Sequence, residues 1–390
     1  MTPAARHGAA IEVIDRIRDG TATEAALTAW ARSNRYAGSG DRAAIRDLVF
    51  DIVRRWRSTA ARGAGETGRQ RMLGLLRERG TDPSTIFTGA GYAPLPLTEA
   101  EHAPALPMDR ATSRDMPGTL IAEAERSLGP DLDAVFDALR ERAEVYLRVN
   151  LLKSDPHTAA QALAAEGIET EPHPLSPTAL RVVTNPRQVA QSSAFKTGLI
   201  ELQDAASQAC VDFAAPQNAS TILDFCAGGG GKALALAALV PEARVTAHDI
   251  APARMRDIPG RAARAGARID VRSPQELGDA LFDLVFADAP CSGSGAWRRS
   301  PDGKWAATPQ RLRDLNSLQD DVLRTAATRV APGGRLIYAT CSFLRCENTD
   351  QLTGFLANHP GWVVTRSRQF SVLEGGDGFF VAELRKRAPG

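Results

Sequence analysis

The chain has 390 residues, 43% hydrophobic and 24% charged, with a formal net charge of +1. That length allows two or three domains, and the balance suits folded cores while excluding a disordered or collagen-like chain. Overall charge carries no nucleic-acid signal, although 42 arginines stand against five lysines, as either GC-rich coding or a guanidinium surface would produce.

The five cysteines (210, 226, 291, 341, 346) all lie in the second half. They are odd in number and lack paired spacings, so no disulfide framework is expected. No CxxC pair or His/Cys cluster has zinc spacing, and no metal is expected. The start, MTPAARHGAAIEVIDRIRDG, has no signal-peptide core, and the longest apolar run, ALALAALV at 233–240, is far short of a membrane span. A cytoplasmic monomer without membrane association is expected.

From Ala4 to Trp56 apolar residues recur at three and four: Ile11, Ile14 and Ile17, then Leu27 and Trp30, then Ile45, Val49, Ile52, Val53 and Trp56. That spacing predicts amphipathic helices with turns at Gly20 and at GSGD, 38–41. RMLGLLRERG at 71–80 continues the pattern, and a Pro-, Thr- and Gly-rich stretch over about 81–118 reads as an irregular connection. A helical domain over 1–115 is expected. Helical periodicity returns at 120–129 and 132–143, and short strands at 145–150 and 179–183 then flank a helix over 157–166. Residues 116–215 therefore read as a small α/β domain.

Over 216–390 strands and helices alternate: TILDF, a helix over 232–240, ARVTAHD, a helix over 252–265, ARIDV, FDLVFAD, a helix over 310–330, and RLIYAT. The alternation predicts an α/β fold with a doubly wound, mostly parallel sheet, its ligands beyond the carboxyl ends of the strands. ILDFCAGGGGKALAL (222–236) is a strand, a glycine-dense turn and a helix start. Glycines at 228–231 permit positive φ and close backbone approach, and the helix start offers unpaired N–H groups. Ala233 after Lys232 removes the hydroxyl with which a P-loop holds magnesium. Asp249, at the end of the next strand, can accept both hydroxyls of a ribose or cap the following helix. Asp288, at the tip of FDLVFAD, converges on the same edge. A glycine loop and a ribose acid without phosphate-binding lysine chemistry fit S-adenosyl-L-methionine better than ATP or NAD.

Two thiols sit just past strand ends, Cys291 in DLVFADAPCSGSG and Cys341 in LIYATCSFLRCEN. A reactive cysteine needs such a setting and a buried structural one does not. CAGGGGK, DAPCSGSG, RRSPDGKW (298–305) and ATCSFLRCEN together resemble the Sun/RsmB family of RNA cytosine-5 methyltransferases. LRVN (147–150), LQDAASQ (202–208), APQN (215–218) and GDGFFVAELRK (376–386) follow in that family's order, and GDRAAIRDLVFDIVRRW (40–56) looks like its NusB-related RNA-binding domain.

The resemblance implies a Rossmann-like class I methyltransferase domain, S-adenosyl-L-methionine as cofactor, and RNA as substrate, with small-subunit ribosomal RNA first. Carbon 5 of cytosine is a poor nucleophile until a thiolate adds at carbon 6 and makes the ring enamine-like. The resemblance assigns that attack to Cys341 and release of the product to Cys291, with Asp288 on the base edge. Lys232 lowers a thiol pKa, contacts substrate, or faces water. Cofactor contacts are implied for Cys226, Ala227, Gly228, Gly229, Gly230, Gly231, Lys232, Asp249, Ser273 and Asp288. Arg148 and Asn150 match an RxN segment near the substrate, and Arg298 and Arg299 are placed to take backbone phosphates. Glu347 and Asn348 read as caps of the next helix. The target base must be reached outside a stacked helix.

The family's glycine loop reads CAAPGGK, and Gly228 and Gly229 replace its alanine and proline here. The family's acid after the third strand is absent, with Arg272 and Ser273 in its place. Two other readings follow: a transfer-RNA substrate, or a NusB-like RNA-binding assembly factor whose methyltransferase fold is vestigial.

Overall fold

The computed structural model describes residues 1–387. The chain forms two compact units. The first comprises Met1–Glu125, Gly129–Arg142 and Trp297–Thr308; the second comprises Arg126–Leu128, Ala143–Ala296 and Pro309–Gly390. Among the described residues no helix is long and apolar enough to cross a membrane.

Five helices dominate the first unit: Pro3–Arg18, Thr23–Ser33, Ser39–Arg54, Trp56–Arg62 and Gly68–Glu78. Thr2 starts the first by accepting from the Ala5 amide at 3.2 Å, with Pro3 at the position that needs no N–H. Thr67 and Gln70 form a capping box for the last. Ile14, Ile45, Val49, Ile52, Met72 and Leu73, the residues of the 3–4 spacing, make the core and are fully buried. A Cβ on Gly74 would fall 1.9 Å from the Thr59 carbonyl oxygen, so only glycine lets these two helices meet.

The unit extends past the expected boundary at 115. Helix Leu132–Arg140 belongs to it, tied by the buried Asp115, which accepts from Arg140 Nε at 3.0 Å and from Ser58 N and Oγ at 2.9 and 2.7 Å. Residues Trp297–Thr308 belong to it as well. Helix Ser39–Arg54 ends with carbonyls that lack intrahelical donors. Trp305 Nε1 donates to the Val53 carbonyl and Lys304 Nζ to that of Arg54, both at 2.7 Å. The lysine also places positive charge at the negative end of the helix dipole. Burial nonetheless pushes its pKa down to about 7, against the pull of Asp115. Trp297 is buried against Phe136, ring centroids 6.5 Å apart.

The second unit holds two sheets. Strands β1 (Tyr146–Val149), β2 (Thr170–Pro172), β3 (Ala179–Val182) and β4 (Ile200–Leu202) form an antiparallel sheet in the order β2-β3-β1-β4. The larger sheet contains β5 (Thr221–Asp224), β6 (Arg244–His248), β7 (Ile269–Arg272), β8 (Phe282–Asp288), β9 (Val330–Thr340), β10 (Trp362–Phe370) and β11 (Phe379–Lys386). Its order is β10-β11-β9-β8-β5-β6-β7. The five strands from β5 to β9 pair in parallel, and β11 and β10 add an antiparallel edge. The mostly parallel Rossmann-like sheet expected from the alternation is present.

Alternate residues feed opposite cores. Ile222, Phe286 and Ile337 face one cluster, while Leu223, Val285 and Leu336 face the other. The helix expected over 252–265 is divided into a short 3-10 turn, Pro252–Met255, and a helix, Ile258–Ala265. Pro259 lies in the first turn of the second piece, where a missing N–H costs nothing. The chain runs from β5 to β6 and β7 on one side, then returns to β8 and β9 on the other. That reversal opens a crevice beyond the carboxyl ends of β5 and β8.

Trp297→Ala is expected to destabilise the helical unit by about 3–5 kcal/mol, the usual cost of emptying a buried indole site. Trp305→Phe, which forfeits one hydrogen bond, should cost only about 1 kcal/mol. Urea unfolding of the intact chain would measure both.

Candidate active site

The glycine turn leaves β5 and enters helix Gly231–Leu239 with Gly228 at φ +51° and Gly230 at φ +80°. Asp249, buried at the end of β6, clasps it: Oδ2 accepts from the Gly228 amide at 2.9 Å and from Arg254 Nη1 at 3.0 Å. Its Oδ1 accepts from the Ala251 amide at 2.9 Å, so the capping reading also holds in part. Ala227 N donates to the His248 carbonyl at 2.9 Å. Two carbonyls of the turn are held by arginines, Gly231 by Arg148 Nη1 at 2.6 Å and Gly229 by Arg261 Nη1.

Lys232 opens the helix behind the turn and is buried, not facing water. Its Nζ donates to Asp288 Oδ2 at 2.6 Å and stands 5.0 Å from the centre of the Phe379 ring. Burial works against the lysine charge, but the Asp288 carboxylate outweighs it and holds the pKa above its usual value.

The two strand-end thiols are neighbours. Strands β8 and β9 pair in parallel with Asp288 opposite Ala339. Cys291 follows the first by three residues and Cys341 follows the second by two, and their Sγ atoms stand 3.3 Å apart. The turns are fixed to each other as well, through Ala289 N to the Ala339 carbonyl at 2.8 Å and Gly295 N to that of Cys341 at 3.1 Å. Hydrogen bonding to Cys341, then burial, raises the Cys291 pKa well above its usual value. Cys291 therefore keeps its proton. The Lys232 charge lies close enough to interact with Cys341. A buried cation, a carboxylate and two thiols thus share one edge of the sheet, and that constellation suits covalent attack on an aromatic ring.

A family profile for the RsmB/F 16S rRNA methyltransferases matches residues 211–385, and one for the ferredoxin-like domain of RsmF/B-like methyltransferases matches 116–190. A ribosomal RNA small subunit methyltransferase B from Yersinia pseudotuberculosis is 34% identical over 298 residues, 72% of this chain and 69% of that protein. The chain belongs to the RsmB/F family. As a member it is an S-adenosylmethionine-dependent RNA methyltransferase. Solved structures share the fold: PH0851 at TM-score 0.77 and 23% identity, over 99% of each chain. A methyltransferase homolog protein from Pyrococcus horikoshii has TM-score 0.63 at 22% identity, over 71% of this chain and 97% of its own.

Asp224 is the observation that tests whether the RsmB/F cofactor suits these residues. It is buried at the end of β5 and neither carboxylate oxygen has a hydrogen-bond partner. The Ala233 amide points towards it without closing a bond of ordinary geometry. Burial raises its pKa to about 7 although Lys232 pulls the other way. An orphaned buried carboxylate calls for a donor, and S-adenosylmethionine carries an ammonium and a sulfonium. Asp224, the glycine turn and Asp249 fit it.

Other expected residues serve the site indirectly. Cys226 packs against one core cluster, and burial raises its pKa. Asn150 is buried, with Nδ2 donating to the Gly198 and Ala265 carbonyls at 2.8 Å each; it ties the small sheet to helix Ile258–Ala265. Arg148 is buried too, a strut between Gln203 and the glycine turn. Ser273 caps the short helix Pro274–Leu277 through Glu276. Arg298 is buried in the helical unit, where its carbonyl accepts from Arg54 Nε at 2.7 Å; Arg299 lies in the same unit.

Glu347 is the residue that the capping reading missed. Fully buried, it accepts from Ser292 N at 2.7 Å, Ser292 Oγ at 2.6 Å and Gln319 Nε2 at 3.1 Å, clasping the turn that carries Cys291. Asn348 likewise turns inward, to Thr340 Oγ1 at 2.5 Å and the Ser342 carbonyl at 2.9 Å. An acid and an amide directly after a reactive-loop motif were the available signal.

Glu347→Gln brings amide hydrogens against the donors of Ser292. Turnover should fall about 10-fold or more while S-adenosylmethionine affinity, measured by calorimetry, stays unchanged. A second expectation concerns Asp224. Its folded pKa lies above the unfolded value, so the native state binds the extra proton and stability falls as pH rises from about 4 through 7. The loss is at most about 4 kcal/mol. Melting of the ligand-free protein between pH 5 and 8 should show this decline, Asp224→Asn should flatten it, and the same variant should bind cofactor more weakly.

Proposed function

We propose that this methyltransferase modifies carbon 5 of a cytosine in small-subunit ribosomal RNA through a covalent Cys341 adduct. The 3.3 Å approach of the two sulfurs carries the reading. Two adjacent sulfurs, with the Cys291 thiol held protonated, suit a reaction that needs one sulfur to attack and another to manage its departure. The Cys341 thiolate forms a bond to carbon 6, and the ring electrons move towards carbon 5 and the ring nitrogen. Asp288 accepts from the exocyclic amine, and its ion pair with Lys232 offsets the charge gathering at the ring nitrogen. S-adenosylmethionine, when bound, supplies an electrophilic methyl group. The methylated carbon 5 then gives its proton to a water molecule acting as base; the C–H electron pair restores the C5–C6 double bond and expels Cys341. Cys291, with the proton on its sulfur, donates to the emerging thiolate and eases expulsion. We take the activity to be cytoplasmic, and one chain carries every group the mechanism uses.

Cys341→Ala should abolish methyl transfer. Cys291→Ala should leave a slowly resolving protein–RNA adduct, visible as a shifted band on a denaturing gel. Activity retained in Cys341→Ala, with no adduct in Cys291→Ala, would reverse the roles. Bisulfite mapping of RNA treated with the wild type would fix the target base.

A further inference from the structure

The chain has four tyrosines. Tyr146 and Tyr338 are buried, whereas Tyr36 is 66% and Tyr92 83% exposed. The exposed two line one cavity of about 350 Å³ in the helical unit, together with Trp30, Asn34, Leu95 and Arg69. Neither Tyr36 nor Tyr92 makes a hydrogen bond or ring contact within the described residues.

The wall carrying Tyr92 is built rigidly. Its turn is closed by Gly89 N to the Pro94 carbonyl at 2.9 Å and Ala93 N to that of Ala90 at 3.0 Å. It presses on helix Pro3–Arg18 so closely that a Cβ on Gly8 would lie 2.8 Å from the Tyr92 carbonyl oxygen. Arg69 grips the following segment through the Leu95 and Pro96 carbonyls at 2.9 and 3.0 Å, and is itself fixed by Glu101 at 2.6 and 2.8 Å. Tyr36 stands on the turn between helices Thr23–Ser33 and Ser39–Arg54.

The charge around that turn is positive. Arg32, Arg35 and Arg42 are exposed and have no carboxylate partner. The acids nearby are already engaged, Asp41 by Arg6 at 2.8 Å and Glu24 by Arg46 at 2.6 Å. Glu12 is the acid that remains in the lining.

We propose that this cavity takes one unpaired nucleotide of the RNA substrate, its base stacked on Tyr36 and Tyr92 and the neighbouring phosphates met by Arg32, Arg35 and Arg42. A preformed cleft of this volume suits a nucleoside, and aromatic faces beside guanidinium groups are the chemistry of single-strand recognition. A base inside a duplex has both faces covered and cannot enter. The substrate must therefore present a single-stranded nucleotide here in addition to its target cytosine. The proposal rests on the chain being an RNA methyltransferase.

The test uses the full-length protein, a fluorescein-labelled decamer oligoribonucleotide, and the same strand annealed into a duplex. Both tyrosines are exposed, so the paired substitution Tyr36→Ala and Tyr92→Ala should leave the fold intact. Fluorescence anisotropy should show single-strand affinity at least 10-fold weaker with duplex binding unchanged, the loss expected when stacking faces are removed. Tyr36→Phe with Tyr92→Phe should restore it. Methyl transfer should show a raised KM for RNA at unchanged kcat. Arg32→Ala, Arg35→Ala and Arg42→Ala together should flatten the salt dependence of binding. Wild-type single-strand affinity in the alanine pair would overturn the pocket alone and leave it to a protein partner. Equal weakening on single strand and duplex would overturn it as well. A wild type that bound neither probe would overturn this proposal, while methyl transfer to ribosomal RNA, measured alongside, would leave the RNA-methylating reading standing.

Discussion

The register of one strand pair governs the active site. Because β8 and β9 run in parallel with Asp288 opposite Ala339, both chains reach the sheet edge within a residue of each other. Two turns separated by 50 residues of sequence are thereby forced into contact. A shift of one residue would turn Cys341 or Cys291 towards the opposite face, since side chains alternate along a strand. Register is held where the strands are buried on both sides: Phe286 and Ile337 pack on one face, Val285 and Leu336 on the other, and all four are fully buried. The 3.3 Å separation of the two sulfurs is thus a consequence of core packing, and the turns only add the last residues. Glu347 finishes the task by gripping Ser292, and Gln319 donates to both Glu347 and the Pro290 carbonyl.

The electrostatics follow from the same edge. Lys232 is a buried cation, and a buried charge is costly unless paired. Its partner Asp288 comes from the strand that delivers Cys291, while Asp224 comes from the strand that delivers the glycine turn. A single buried lysine therefore faces two carboxylates. The pKa directions follow: burial pushes Asp224 up to about 7 against the pull of Lys232, and Asp288 keeps the lysine charged. The ligand-free site is arranged to receive one more positive charge, and the cofactor brings it.

Much of this was legible in the sequence because the signals were local. The 3–4 spacing of Ile14, Ile45 and Ile52 marked helices, and the alternation after residue 216 marked a parallel sheet. The two tetrapeptides marked both thiols. What stayed hidden required partners distant in sequence. Trp297–Thr308 follows a catalytic motif, yet its Lys304 and Trp305 satisfy the end of a helix some 250 residues earlier. Asn150 was placed near the substrate by its match to the family's RxN segment; its amide meets two carbonyls that only the folded chain brings near. Glu347 was read as a cap since an acid before a helix usually caps it, and the side chain found stronger donors in Ser292.

The altered glycine turn shows how a departure from the family pattern can be absorbed. An alanine–proline pair would stiffen this turn through the fixed φ of proline. Gly228 and Gly229 give that up and cost entropy on folding. In exchange they clear space. A Cβ on Gly228, already at φ +51°, would lie 3.2 Å from Arg254 Nη2, and one on Gly229 would lie 3.3 Å from Arg261 Nη1. Arg254 uses that room to reach Asp249, and Arg261 to reach the Gly229 carbonyl. Arg148 holds the Gly231 carbonyl from the far side. Rigidity lost from the backbone is replaced by three guanidinium clamps, so a turn that looks loose in sequence is held in a shape fit for the cofactor. That compensation weighs against a vestigial fold: a decayed site would have no reason to keep Asp249, the arginine clamps and both thiols together around one orphaned carboxylate.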